Sequence, residues 1–407
     1  MRRAILSFTA VAAAVIGGGA DWPQFRGADT SSVSTDTNVP TTITDNIAWS
    51  ADLPGRGLSG PIVVGGKVFL SASSGYQQDR LHVLCFDART GKKLWERQFW
   101  ATGRTLCHPK MCNATPTPAS DGKRVFAFFS SNDVICLDLD GNLQWFRGMT
   151  HDYPNASNSL GMASSPVVAE ETLIVPVENL SESFTAGLDV ATGMNRWKLD
   201  RPLLDNWTSP SLLPGKSRDE DLVVLQSGKG LVALKPYTGY EAWRYNAGAG
   251  TIPSSAQSAG RLYVPANGLT ALDPASAGKA PHVLWQSNKL GPATATPLVM
   301  GDRVYNLNGS GVLACADVKE GLVLWQLRLQ VTLGEKASRG AFTSSPVAAN
   351  GHLYFFNEDG VAMVVKGGET GEIVGSHDFA ETILATPAIA DGALYIRSDK
   401  HLWRIGK

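Results

Sequence analysis

Two cysteines five positions apart, Cys107 and Cys112, bracket a histidine and a lysine in the stretch LCHPKMC. In an oxidising compartment such a pair closes a short-loop disulfide, and that bridge is the expected reading. With His108 the pair could instead begin a metal site, but the spacing matches no common zinc pattern and no fourth ligand suggests itself. The other three cysteines, Cys85, Cys136 and Cys315, each stand two residues before an aspartate. At matching points elsewhere the chain has Gly187, Ala233 and Ala271. A position that takes only small side chains is a tight core site, so these three read as buried free thiols.

Little else in the chain is arranged for chemistry. The histidines are scattered, and none pairs at i, i+4 as in a zinc helix. There is no Gly-x-Ser-x-Gly elbow. The stretch PGKS at Pro214 lacks the leading glycine of a phosphate loop and reads as a polar hairpin tip. The recurring aspartates Asp87, Asp138, Asp189, Asp273 and Asp317 sit where an Asx residue caps a following turn. No paired carboxylates stand out from this background, so no catalytic, cofactor-binding or metal-ligating residue is predicted.

The elements that would position any site are clearer. CFDARTGKKLW, from Cys85 to Trp95, is echoed by GLDVATGMNRW, ALKPYTGYEAW and CADVKEGLVLW, each ending in tryptophan. Ahead of these come proline-led apolar stretches such as PIVVGGKVF and PLVMGDRVY, with seven positions from the proline to the residue opening the next strand. Turn residues between β-branched and aromatic runs mark hairpins. Each unit therefore reads as four antiparallel strands over about 40–50 residues, the spacing of propeller blades. Helical periodicity is almost absent.

The last unit stops after its third strand, at HLWRIGK. Its missing strand is supplied by NIAWSADL, Asn46 to Leu53, with Trp49 in the tryptophan position. The sequence thus predicts an all-β, eight-bladed β-propeller over 46–407, its last blade closed by an N-terminal strand, with no open sheet edges between first and last blades. Trp49, Trp95, Trp145, Trp197, Trp243, Trp285 and Trp325 are expected to dock between blades, each over the next blade's Thr-Gly turn, with the indole N–H on an acceptor there. The seventh unit has Gly375 at that position.

Ahead of the ring, 1–20 read as a signal peptide: Arg2 and Arg3, an apolar run too short to span a bilayer, then small residues before Asp21. Residues 21–45 form a leader. The 407-residue chain is 43% hydrophobic and 18% charged, enough apolar material for a large core. Loss of the two arginines leaves 34 basic against 37 acidic residues, a mature charge of −3. No Lys/Arg run appears, which argues against nucleic acid. No later segment is long and apolar enough for a transmembrane helix. The expectation is an exported protein, periplasmic or extracellular, soluble after removal of its signal.

The pattern Ala/Cys-x-Asp-x-x-Thr-Gly-x-x-x-Trp in an eight-unit ring resembles the tryptophan-docking motif of the PQQ-like repeat family. That family includes quinoprotein alcohol dehydrogenases and outer-membrane assembly lipoproteins of the BamB type. The resemblance runs from about Asn46 to the C-terminus, and DWPQFRG, Asp21 to Gly27, is similar to the leader before such propellers in exported bacterial proteins. It implies the scaffold. It does not bring either job in its usual form, because the adjacent cysteines of the quinone enzymes, a Cys-x-x-Cys-His haem motif and the lipidated N-terminal cysteine are all missing here.

Rigid scaffolds carry function on loops. The blade-to-blade links are uneven, the longest following blades 1, 2 and 6. Arg104, His108, Lys110, His151, Asp152, Tyr153 and Arg339 are expected to gather at one rim of the central funnel and to form a partner-binding face. The first functional reading is a non-enzymatic scaffold binding a protein or peptide of the cell envelope, with no cofactor. The alternatives are a quinoprotein-like oxidoreductase or PQQ-binding relative, using PQQ with Ca2+, and a binding module or sensor for a small ligand in the funnel.

Overall fold

The computed structural model describes residues 21–274, 280–333, 336–337 and 340–407; the expected signal peptide and Arg339 lie outside the described residues. Its strands make eight blades around one axis. Blade 1 comprises Ile62–Val64, Lys67–Ser74, Arg80–Asp87 and Lys93–Trp100, all antiparallel. Blades 2 to 7 follow over 119–148, 167–200, 211–245, 256–287, 298–328 and 347–378. Blade 8 is built from Ala388–Ala390, Ala393–Arg397 and His401–Ile405, and is completed by Ile47–Asp52, which pairs antiparallel with His401–Ile405. The ring is closed as the sequence predicts. Among the described residues no helix is long and apolar enough to cross a membrane.

The burial pattern explains why the repeats fold this way. The two middle strands of a blade are covered on both faces by neighbouring blades and are apolar almost throughout, as in Val68–Ala72 and Val83–Phe86. The outermost strand faces solvent and alternates, as in Lys93–Trp100. Asp87, Asp138, Asp189 and Asp317 close the turn before that strand: the Asp87 carboxylate accepts hydrogen bonds from the Thr90 N–H and hydroxyl, which hold its pKa below the ordinary carboxylate value.

The tryptophans join the blades. Trp95 donates its indole N–H to the Leu139 carbonyl at 3.1 Å, Trp145 to Val190 at 3.1 Å, Trp197 to Pro236 at 2.9 Å, Trp285 to Val318 at 3.0 Å and Trp325 to Gly368 at 2.8 Å. Trp49, in the closing strand, donates to Ala88 of blade 1. Trp243 is buried in the same register position, and part of the turn it faces lies outside the described residues. The residue paired directly opposite the ring is small in blades 1 to 6, whereas Trp49 faces Arg404. Cys85, Cys136 and Cys315 face Trp95, Trp145 and Trp325, and at Gly187 a Cβ would fall 2.1 Å from Trp197. In blade 7 the glycine that replaces the ring, Gly375, leaves room for the chain itself: a Cβ there would fall 2.2 Å from the Thr41 carbonyl oxygen.

The leader threads the axis. Trp22 bridges Val63 of blade 1, the Pro23 carbonyl accepts from Ser120 N–H of blade 2, and the Gln24 side chain accepts from Val168 N–H of blade 3. Arg26, 1% exposed, donates to the Ser211 hydroxyl of blade 4 at 2.9 Å and to the Ser255 carbonyl of blade 5 at 2.8 Å. Val33–Ser34 then adds a parallel fifth strand to the inner edge of blade 7, and Asp36 accepts from Gly392 N–H of blade 8. Backbone groups that an open channel would leave to water are thus satisfied by protein.

Candidate functional site

Above the leader the axis opens into a funnel of about 370 Å³. Its base is a belt of seven hydroxyls, one from each of blades 2 to 8, on the residue at the entry of the innermost strand. Gly60 N–H donates to Thr117 Oγ1 at 2.8 Å, Thr117 N–H to Ser165 Oγ at 3.0 Å and Ser165 N–H to Ser209 Oγ at 2.9 Å. Ser209 continues to Ser254 at 2.9 Å, Ser254 to Thr296 at 3.3 Å, Thr296 to Ser345 at 3.0 Å and Ser345 to Thr386 at 3.0 Å. Only blade 1, with Gly60, lacks a hydroxyl. Each hydroxyl oxygen takes its neighbour's N–H, so the belt locks the inner strands in register around the ring.

Two residues earlier in every blade, on the same inward side of the chain, stands an upper ring: Leu58, Thr115, Ala163, Trp207, Ile252, Thr294, Thr343 and Leu384. Blades 1 and 8 supply Leu58 and Leu384; blades 4 and 5, across the axis, supply Trp207 and Ile252. Two apolar banks therefore face each other. Trp207 is held by its indole N–H on the Gly161 carbonyl at 2.9 Å. Phe25 of the leader is part of the floor, with the Arg26 guanidinium 5.5 Å from its ring centre. No aspartate or glutamate lines this cavity.

The link after blade 1 lies over the mouth. His108 N–H donates to the Leu160 carbonyl of the blade 2–3 link, Arg56 donates to the Pro109 and Met111 carbonyls, and Lys110 pairs with Glu358 of blade 7 at 2.9 Å. Arg104, Leu106 and His108 remain exposed on it. Of the seven residues expected at one rim, His108 and Lys110 reach the funnel. Asp152 and Tyr153 do not: the helical turn Met149–Asp152 carries the chain outward, where Asp152 pairs with Arg147 at 2.6 Å and the Tyr153 hydroxyl accepts from Asn195 at 2.7 Å, on the flank between blades 2 and 3. His151 is exposed beside them and lines neither cavity.

The bridge expected between Cys107 and Cys112 is not formed. Cys107 turns to the Thr105 carbonyl and the Ser130 hydroxyl, while Cys112 is buried beside Thr115, because the intervening His108 and Met111 are held to other segments. All five thiols are free; burial pushes Cys85, Cys136 and Cys315 up to about 12.

Sequence reasoning missed the belt, the upper ring and Phe25. The belt did leave a signal, since Thr117, Ser165, Ser209, Thr296, Ser345 and Thr386 all directly precede a proline. Phe25 and Arg26 left none, for their partners lie in distant blades.

With this geometry in hand, the comparisons are informative. Residues 30–202 and 181–407 each match the sequence model of the family described as outer membrane protein assembly factor BamB. Among solved structures, BamB from Moraxella catarrhalis superposes with a TM-score of 0.62 at 14% identity, covering 89% of this chain and 97% of that one. A europium-containing methanol dehydrogenase superposes with a TM-score of 0.70 at 12% identity, covering 95% and 98%. Likeness at such identity is a likeness of fold. A polyvinylalcohol dehydrogenase of Pseudomonas sp is 24% identical over 168 residues, 37% of this chain and 24% of that enzyme, so the match spans about a quarter of its length.

The fold thus raises PQQ with a metal ion, and the residues present do not fit that pair. A divalent cation of this kind is held by carboxylate and carbonyl oxygens. Among the described residues no group of three or more His, Cys, Asp or Glu side chains is placed to hold a metal ion, and the funnel wall offers hydroxyls and hydrocarbon. Phe25 and Trp207 could stack against a ring, but nothing beside them would hold the ion.

Proposed function

This chain belongs to the outer membrane protein assembly factor BamB family, and we propose that it is a non-enzymatic scaffold of the cell envelope, exported to the periplasm, which binds a protein or peptide partner at the funnel mouth. The observation that carries this reading is the link over the mouth. The link is fixed from three directions, its backbone by Leu160 and Arg56 and its Lys110 side chain by Glu358, while Arg104, Leu106 and His108 are exposed. Beside it Leu160 and Ile252 are 43% and 46% exposed, an apolar centre within a polar rim. A loop held in place before the partner arrives loses little backbone freedom on binding.

The test is co-purification from the protein's own envelope fraction. Wild type is compared with Arg104→Ala/Leu106→Ala/His108→Ala and with a flank variant, Tyr153→Ala. A partner retained by the flank variant and lost by the mouth variant, with both variants folded, supports the reading. Loss from neither, or saturable PQQ binding with dye reduction when PQQ and Ca2+ are supplied, overturns it.

A further inference from the structure

The seven belt hydroxyls are each at least nine-tenths buried, and each oxygen already accepts a backbone N–H. A hydroxyl also carries a hydrogen to donate. No acceptor within the described residues takes any of these seven hydrogens, although other hydroxyls nearby do find one: Thr294 donates to the Phe342 carbonyl and Thr343 to Glu358. A buried donor without an acceptor costs free energy unless something else meets it. All seven line the base of one cavity.

Two buried guanidinium groups lie near that base. Arg26 lies beneath the Phe25 floor and has no carboxylate among its hydrogen-bond partners. Arg397, also 1% exposed, is bonded only to oxygens of Ser59, Ser71 and Ser398. One of its guanidinium nitrogens has no partner. Burial brings both guanidinium pKa values down to about 10, so both stay charged at neutral pH. The lining itself contributes no carboxylate.

We propose that the funnel binds an organic monocarboxylate without a metal, its carboxylate on the hydroxyl belt and its apolar body between the Trp207/Ile252 bank and the Leu58/Leu384 bank. The belt presents seven hydroxyl donors and the lining no carboxylate, so an acceptor-only ligand end fits it. An ionised carboxylate is that group, and hydrogen bonds to it are stronger than those between neutral partners. The cavity admits a body of a few residues or one ring system. Such a carboxylate could come from a free small acid or from the C-terminus of a polypeptide. This goes beyond the partner reading, for it concerns the well beneath the link rather than the link itself.

The experiment uses the purified mature protein. Phenylacetate and N-acetylphenylalanine are titrated beside their neutral amides, by calorimetry and by tryptophan fluorescence. Each acid is expected to bind about tenfold or more tightly than its amide, from hydrogen bonds made to a charged acceptor. A preference for phenylacetate points to a small acid, and a preference for N-acetylphenylalanine to a chain end. Thr296→Val/Ser345→Ala should weaken the acids and leave the amides unchanged, Thr296→Ser should bind as wild type, and Trp207→Ala should weaken acids and amides alike. Equal affinity for acid and amide, or no saturable binding of either acid, overturns the proposal. So does binding of PQQ that appears only with Ca2+. The wild-type comparison decides even if a belt variant fails to fold, and since no partner is present its failure leaves the mouth reading untouched.

Discussion

Trp49 and Gly91 come from the two ends of the ring and meet at its closure. A Cβ at Gly91 would fall 2.5 Å from the indole, and the indole N–H donates to Ala88 at 3.1 Å, so blade 8 is fastened to blade 1 as the other blades are fastened to one another.

Trp49→Ala is expected to cost about 3 kcal/mol, by analogy with large truncations in packed sites. Gly91→Ala should also destabilise, because its φ of +70° disfavours a side chain and the new methyl meets the ring. Removing the ring relieves the second of these, so the double variant should lose less than the sum of the singles. Guanidinium denaturation of the four proteins checks this; strict additivity would mean the two residues do not touch.

Arg26→Ala should lower stability by about 2–3 kcal/mol, because it leaves the Ser211 hydroxyl and Ser255 carbonyl without their charged donor in a buried channel. The loss should appear as a lower denaturation midpoint. An unchanged midpoint would show that the leader is not seated on the axis.

On blade 1, Glu96 accepts from His82 at 2.9 Å, and His82 in turn lies 2.7 Å from the Ser74 hydroxyl. Burial pushes the Glu96 carboxyl up, but hydrogen bonds from Lys93, His82 and Gln98 outweigh it and hold it down at about 2, against an ordinary 4.5. A depressed carboxylate stabilises the fold above its unfolded value, and that contribution fades as pH falls from about 4.5 towards 2. Melting temperature measured across this window should fall more steeply for wild type than for Glu96→Gln; parallel curves would refute the assignment.

Five thiols should titrate after denaturation, since none is bridged. In the native protein Cys85, Cys112, Cys136 and Cys315 should stay silent towards alkylation at neutral pH, buried and with raised pKa values, and half-buried Cys107 should react first. A count of three would restore the Cys107–Cys112 bridge.

The ring and its closure were legible because they rest on local repetition: a Thr-Gly turn, a tryptophan at fixed spacing, a last unit one strand short. The leader was not, because Trp22, Gln24 and Arg26 alternate over only five residues and their partners lie as far as 229 positions away. The belt was in plain view as Ser/Thr-Pro, but proline alone already explained a strand start, and the residue before it drew no attention. Tyr153 was placed at the mouth on loop length alone, and a single turn of helix was enough to send it to the flank.

Two segments near the start of the chain are seated on its last blade. Ile47–Asp52 has no partner strand until His401–Ile405 exists, and Asp36 waits for Gly392. During synthesis or export these segments must stay unpaired while the seven intervening blades form. Assembly is therefore a sequential stacking followed by one long-range capture, and loop-closure entropy falls on that last step. A holding factor that covers the free N-terminal segment would act in this interval, and a chain cut short before blade 8 would carry an unsatisfied strand, the mark of a species prone to pair with copies of itself.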